Sequence, residues 1–262
     1  MLWGLVAVML AVNASPGISG RTSLSSFSEE LGEETRMFWK QEPLRILFFT
    51  KTSGFRHSSI PVAIQAMEKM VREQGWEAVI TEDAEMFTES RLKGFHVVVF
   101  LLTTGDVLNR DQEQAMEAFI RSGKGFVGIH SAADTEYEWA WYGKLVGAYF
   151  KSHPAVQKAR VVIEDSEHPT VRFLPRVWER EDEWYDYREN PREHVKVLAR
   201  VDEASYRGGT MGADHPIIWC REFEGGRSWY TGMGHTEGSY QDELFLRTIA
   251  EAIKWAARRS EG

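Results

Sequence analysis

The sequence predicts an α/β domain: a doubly wound, mostly parallel sheet with helices on both faces and added antiparallel strands in the second half. Three observations carry this. Short strand-type runs alternate with amphipathic helical runs between residues 45 and 129. The third of those strands is apolar on both faces, as a parallel strand covered from two sides must be. Beyond residue 160, strand-type runs follow one another with few helices between them.

The elements follow in order. Arg45-Ile46-Leu47-Phe48-Phe49-Thr50 is a short apolar run leading into Lys51-Thr52-Ser53-Gly54, the pattern of a buried strand entering a loop. Ser58 or Ser59 can cap the next helix and Pro61 suits its first turn. Ile60, Ile64, Met67 and Val71 recur at helical spacing until Gly75 stops it. Trp76 to Thr81 and Phe95 to Leu102 are the second and third strands. Asn109 caps a helix through Arg110 to Arg121 with Gly123 as its exit, and Gly125 to Ile129 is the fourth strand. Arg160 to Ile163, Val177 to Asp182, His194 to Val201, Ile217 to Phe223 and Arg227 to Thr231 form the second group of strands. The amphipathic run Asp242 to Arg258 closes the domain.

Of the 262 residues, 43% are apolar and 27% charged, enough to bury a core and too apolar for a disordered chain. The formal net charge of −8 argues against a phosphate-neutralising surface, so nucleic acid is not an expected partner. Cys220 is the only cysteine, which excludes an intrachain disulfide and a thiolate metal cluster. Residues 1–14 form an uncharged apolar run ending in the small-x-small sequence Val12-Asn13-Ala14, the pattern of a signal peptide without its basic flank. Export to the periplasm or outside the cell is therefore expected. An uncleaved anchor, or a start codon placed too early in a cytoplasmic protein, are the alternatives. Residues 15–42 read as a flexible linker, 43–258 as one domain and 259–262 as a tail, with no membrane span in the mature chain.

Open parallel sheets bind ligands beyond the carboxyl ends of their strands. That rule selects the loops Thr52 to His57, Thr103 to Asp106 and His130 to Asp134. Gly128-Ile129-His130-Ser131-Ala132 resembles a nucleophile elbow, in which small neighbours permit a sharp turn that presents one side chain. The elbow carries histidine; Ser131 is one place too late, and no cysteine is near, so acyl-enzyme chemistry is disfavoured. His235 follows another strand end, with Glu237 two residues on to orient it as a proton donor or acceptor.

Five of the eight histidines, His57, His130, His153, His215 and His235, sit in loop-like contexts. None has the i, i+4 helical spacing of a His-Glu-x-x-His site. His153-Pro154, His168-Pro169 and His215-Pro216 also read as turn punctuation, so a divalent metal is left without an assigned ligand set. No other cofactor is expected. Glu181 to Tyr187 packs acids and aromatics together, suited to a polyhydroxylated ligand, with Trp139, Trp141 and Tyr142 as a candidate second wall.

Taken in order, these segments resemble the ThuA-like (trehalose utilisation) family of the class I glutamine amidotransferase-like superfamily. The matching segments are Ser53-Gly54-Phe55-Arg56-His57-Ser58-Ser59-Ile60, Gly128 through Asp134, and Trp141-Tyr142-Gly143 with Gly147 through Pro154. They continue with Asp182-Glu183-Trp184-Tyr185, His215 through Trp219, and Gly226-Arg227 through Gly234-His235. The resemblance implies a flavodoxin-like sheet with His130 where true amidotransferases carry their cysteine. His235-Thr236-Glu237 is similar to the His-Pro-Glu that completes their triad, with Thr in place of Pro. It also implies a role in the metabolism of disaccharides or keto-sugars, with glutamine hydrolysis not expected.

Two functions are consistent with this pattern. The first is an enzyme, whether hydrolase, lyase or isomerase, acting on a sugar or keto-sugar. In it His130 and His235 serve as acid and base, Glu237 orients, and His57, Asp134, Glu183, Tyr185 and His215 bind substrate. The second is a non-catalytic sugar-binding or scaffold module. A small-molecule carbohydrate is the expected partner in both, with a homo-oligomer as the expected assembly. A close approach of His130 and His235 favours the enzyme.

Overall fold

Alternate side chains of the first strand enter opposite cores. The computed structural model describes residues 42–259, so the expected signal peptide, all but the last residue of the expected linker and the final three residues of the tail lie outside the described residues. In β1 (Arg45–Phe49), Ile46 and Phe48 join one apolar cluster while Leu47 and Phe49 join the other. Strand β3 (Val97–Leu101) repeats the pattern, with Val97, Val99 and Leu101 on one side and Val98 and Phe100 on the other. Helices α1 (Ile60–Gln74) and α5 (Glu243–Ala256) cover the first face. Helices α3 (Arg110–Arg121) and α4 (Ala140–Val146) cover the second. Two covered faces are what a doubly wound sheet requires.

Strands β2 (Glu77–Thr81), β4 (Gly125–Ile129) and β11 (Gly226–Thr231) complete a parallel block in the order β2-β1-β3-β4-β11. This is the flavodoxin-like order, whose reversal between β1 and β3 leaves a crevice at the carboxyl rim. The sheet continues antiparallel through β10 (Pro216–Phe223), β9 (Lys196–Asp202), β6 (Gln157–Ile163) and the edge strand β7 (Val177–Asp182). Along β7, Trp178, Arg180 and Asp182 are buried while Val177, Glu179 and Glu181 are exposed, the alternation of a strand with one wet face.

The helix signals behave as their chemistry dictates. Asn109 and Gln112 form a reciprocal capping box on α3, and Gly75 ends α1 in the left-handed conformation at φ +66°. Ser59 occupies the cap position of α1 but makes no side-chain cap bond.

Two features differ from expectation. Strand β11, read among the added antiparallel strands, is antiparallel to β10 but parallel to β4. The cause is the tight β10–β11 hairpin, whose two turn residues Glu224 and Gly225 both have positive φ and reverse the chain onto the parallel block. The short elements α2 (Glu89–Leu92), α4, β5 (Phe150–Ser152) and β8 (Asp186–Tyr187) were not anticipated, being too short to carry a periodicity. Strands β5 and β8 pair into a separate two-stranded sheet. Among the described residues, no helix is long and apolar enough to cross a membrane.

Candidate functional site

Three loops leave the carboxyl ends of β1, β4 and β11 and deliver three histidines to one place. The loop after β1 is tied to the loop after β3: Ser53 N donates to the Thr104 carbonyl at 2.7 Å, and Thr104 Oγ1 donates to the Phe55 carbonyl at 2.8 Å. His57 follows and is 4% exposed. Strands β4 and β11 are neighbours in register, Ile129 opposite Thr231, so the residues after each emerge together at the same rim.

His130 itself has φ +52°, a left-handed conformation that costs a non-glycine residue roughly 1–2 kcal/mol. The turn resembles an elbow in its cause as well as its shape. A Cβ at Gly128 would come within 3.0 Å of Tyr230 and 3.2 Å of Ala132, so any larger residue there would have to push these side chains back. Tyr230 Oη donates to the His130 carbonyl at 2.8 Å and fixes the backbone. The ring is fixed too, because Nδ1 lies 2.8 Å from the Gly232 carbonyl, which can only accept. A neutral His130 therefore presents a bare lone pair at Nε2.

The carboxylate of Glu183, just past β7, is where the imidazoles converge. His130 Nε2 lies 3.4 Å and His235 Nδ1 3.1 Å from its Oε2, and these two nitrogens are 3.3 Å from each other. His153 Nδ1 holds the second oxygen, Oε1, at 3.0 Å. The His57 ring stands edge-on to those of His130 and His235, with centroids 5.0 and 5.1 Å away, and its Nδ1 has no hydrogen-bond partner among the described residues. The Tyr185 ring packs against His130 at 4.1 Å. Next door, the fully buried Asp182 accepts from the backbone N–H groups of Gly234 (2.9 Å) and His235 (3.0 Å) and from Ser239 Oγ (2.9 Å), pinning the β11 loop to the end of β7.

These contacts set the protonation preferences. Burial pushes the Glu183 carboxyl upward, but the pull of His130 and His235, as protonated rings, outweighs it and holds it at about 2. Burial works to lower His235, and the bond to Glu183 reverses the balance, raising it above the ordinary histidine value. His57 is lowered to about 3, by burial first and then by His130 and His235. Asp134 is raised by burial, against a 2.6 Å hydrogen bond from Tyr137 Oη.

Of the residues selected from sequence, His57, His130, His235, Glu183 and Tyr185 come together, and Asp134 lies at the edge of the group. Glu237 does not orient His235: it begins the following 3₁₀ turn, is exposed, and its place is taken by Glu183. His215 is also displaced, behind Tyr185, whose carbonyl its Nε2 contacts at 2.8 Å. Trp139, Trp141 and Tyr142 form no second wall. Trp139 and Tyr142 are buried in the core with the half-buried Trp141 stacked on Trp139, and Trp139 and Trp141 direct their indole N–H groups to Glu117 and Glu224. Cys220 is buried in β10 with its thiol pushed up to about 12 by burial, which leaves it inert as a nucleophile. The sequence assigns no site role to His153, whose His-Pro pair also reads as turn punctuation, or to Asp182, whose backbone bonds carry no sequence signature.

Among the described residues, two groups have ligand-type atoms all within 4.8 Å of one another: His57, His130, Glu183 and His235, and separately Asp186, Glu203 and His215.

A sequence model of the ThuA family, described as trehalose utilisation, matches residues 45–256. Among solved structures, the chain is similar to a ThuA-like protein from Bacteroides uniformis, with TM-score 0.71 and 23% identity over 83% of this chain and 93% of that one. A ThuA-like protein from Parabacteroides merdae gives TM-score 0.68 and 17% identity over 82% and 90% of the two chains. A protein described as cytoplasmic, from Salmonella typhimurium, gives 0.58 and 13% over 81% and 99%. At these identities the likenesses establish the fold. A comparison with curated proteins found no match.

Proposed function

Because the chain belongs to the ThuA family, described by trehalose utilisation and hence carbohydrate-related, we propose that it is an enzyme acting on a disaccharide or keto-sugar through its histidine–Glu183 group, without a cysteine nucleophile. The observation that carries this is the meeting of His130, His235 and His153 on one carboxylate at the rim of the sheet, within 3.0–3.4 Å. An imidazole backed by a carboxylate is suited to proton transfer near neutral pH, and a bound sugar presents hydroxyl protons to exchange. Glu183 sets the orientation of the rings. His57, Asp134 and Tyr185 adjoin the group and would supply hydroxyl contacts. The 3.3 Å separation of His130 and His235 favours this reading over a non-catalytic sugar-binding module, which has no use for a close imidazole pair. Action after export is part of the proposal, supported by the uncharged apolar run of residues 1–14.

The test is a screen of disaccharides and their 3-keto derivatives with the wild type and His130→Ala. Turnover by the wild type that falls by about 100-fold or more in the variant is expected. Equal rates for both proteins on a turned-over sugar would remove His130 from the mechanism. Tight sugar binding without turnover would favour the binding module.

A further inference from the structure

We propose that His130, His235, Glu183 and His57 bind one divalent transition-metal ion, zinc or a chemically similar one, at the centre of the site. The inference rests on the reading above only for the group's action on a sugar: with His130 Nε2, His235 Nδ1 and His57 committed to an ion, these rings hold the ion instead of moving protons or binding hydroxyls, and the geometry stands separately. His130 Nε2, His235 Nδ1 and Glu183 Oε2 form a triangle with edges of 3.1, 3.3 and 3.4 Å. Donors placed tetrahedrally at the ~2.0–2.1 Å of zinc–nitrogen and zinc–oxygen bonds stand about 3.3 Å apart, so the three atoms already describe one face of a zinc polyhedron. His57 supplies the fourth ligand-type group, within 4.8 Å of the other three; it is 4% exposed and its Nδ1 lacks a partner among the described residues.

The outer contacts are those of a ligand set. His130 gives its Nδ1–H to the Gly232 carbonyl, the arrangement that frees the opposite nitrogen of a metal-bound imidazole and makes it more basic. Glu183 has one oxygen on the triangle and the other on His153, so its orientation is held from outside. The left-handed turn at His130 keeps that ring pointed at the cluster despite its backbone strain. Three imidazoles and one carboxylate suit zinc or its neighbours over magnesium or calcium, which take oxygen ligands. When bound, such an ion would supply Lewis-acid polarisation of a sugar carbonyl or hydroxyl oxygen taken on as a fifth ligand. The second group, Asp186, Glu203 and His215, is not proposed as a site, because both nitrogens of His215 already meet protein partners, Glu203 and Tyr206 on one side and the Tyr185 carbonyl on the other.

The experiment is calorimetric titration of the untagged, chelator-stripped chain with Zn²⁺, Co²⁺ and Ni²⁺, alongside elemental analysis of the protein as purified. One ion per chain is expected, with affinity lowered more than about 100-fold by His130→Ala or Glu183→Gln, a loss beyond the 10–100-fold typical of an outer-contact residue. Glu203→Gln should bind as the wild type does. Should His130→Ala fail to fold, the near-isosteric Glu183→Gln carries the test. A wild type that takes up no stoichiometric ion overturns the proposal, as does binding lost in Glu203→Gln and kept in Glu183→Gln. Because the readout is binding, an ion bound without turnover of any sugar would sink only the catalytic reading, and turnover without an ion would sink only this one.

Discussion

Two buried groups of histidine and carboxylate lie on either side of Tyr185, and they differ in how fully the protein satisfies them. In the first, three imidazoles converge on Glu183, and the nearby His57 keeps a nitrogen without a partner among the described residues. In the second, His215 is 0% exposed and saturated. Its Nδ1 meets Glu203 at 2.9 Å and Tyr206 at 3.1 Å, and its Nε2 meets the Tyr185 carbonyl at 2.8 Å. Glu203 further accepts from Met211 N, and Asp186 from Thr210 N. The same residue types thus make a cluster with an unpartnered ring nitrogen in one place and a set of structural ties in the other. Residual valence, more than residue identity, separates them: a buried polar group already paired has nothing to offer a ligand.

The sharpest way to break the comparison is to blunt each carboxylate in turn. Glu183→Gln should lower kcat/KM on the cognate sugar by about 100- to 10,000-fold, since the imidazoles lose the charge that orients them. Glu203→Gln should leave turnover within about twofold. Comparable losses in both variants would dissolve the distinction. Next in size, His215→Leu should cost about 3 kcal/mol of folding stability in urea denaturation, because three buried contacts lose their shared partner, while well below its melting point turnover falls less than tenfold. A variant as stable as the wild type would show that the ties around His215 are idle.

A third histidine extends the contrast through pH. His168 is 7% exposed, bonded through Nδ1 to Thr170 Oγ1, with Nε2 3.6 Å from Cys220 Sγ; burial, then Lys196, lowers it to about 4. A depressed folded-state value means that the unfolded chain takes up the proton first. The stability that His168 contributes is therefore present above about pH 6.5 and is lost as pH falls toward 4. Between pH 7 and 5 the loss comes to about 2 kcal/mol, and His168→Gln should flatten the wild-type dependence by that amount. Identical pH slopes in the two proteins would contradict the burial that the packing describes.

How much of this was legible in the sequence depended on whether the signal was local. His130 stood out because a strand, two small neighbours and a loop adjoin it in the chain, and His235 because it follows the run Trp229-Tyr230-Thr231. Their meeting was not local. It depends on β11 lying beside β4, which the β10–β11 hairpin decides. Glu237 drew attention by being two residues from His235, yet the 3₁₀ turn it begins leaves it exposed, while Glu183 arrives from the edge strand 52 residues earlier in the chain. The parallel block was readable because double-sided burial leaves continuous apolar runs. Helix α4 and the β5–β8 pair were not, because runs of seven, three and two residues are too short to display a period.

The smallest expected effect concerns the mouth of the site. Phe55 is 65% exposed, and its ring stands edge-on to His57 with centroids 4.9 Å apart. A ring this exposed contributes little to folding, so Phe55→Ala should change stability by no more than about 0.5 kcal/mol. An exposed aromatic beside a polar cluster does suit the apolar face of a sugar ring, a contact worth about 0.5–1.5 kcal/mol, or roughly two- to tenfold in KM. The same substitution should leave kcat nearly untouched, because Phe55 reaches the imidazoles only through His57. A fall in kcat at constant KM would place Phe55 with the reacting groups, and a large loss of stability would place it with the core; either result would move the boundary between what binds the sugar and what holds the fold.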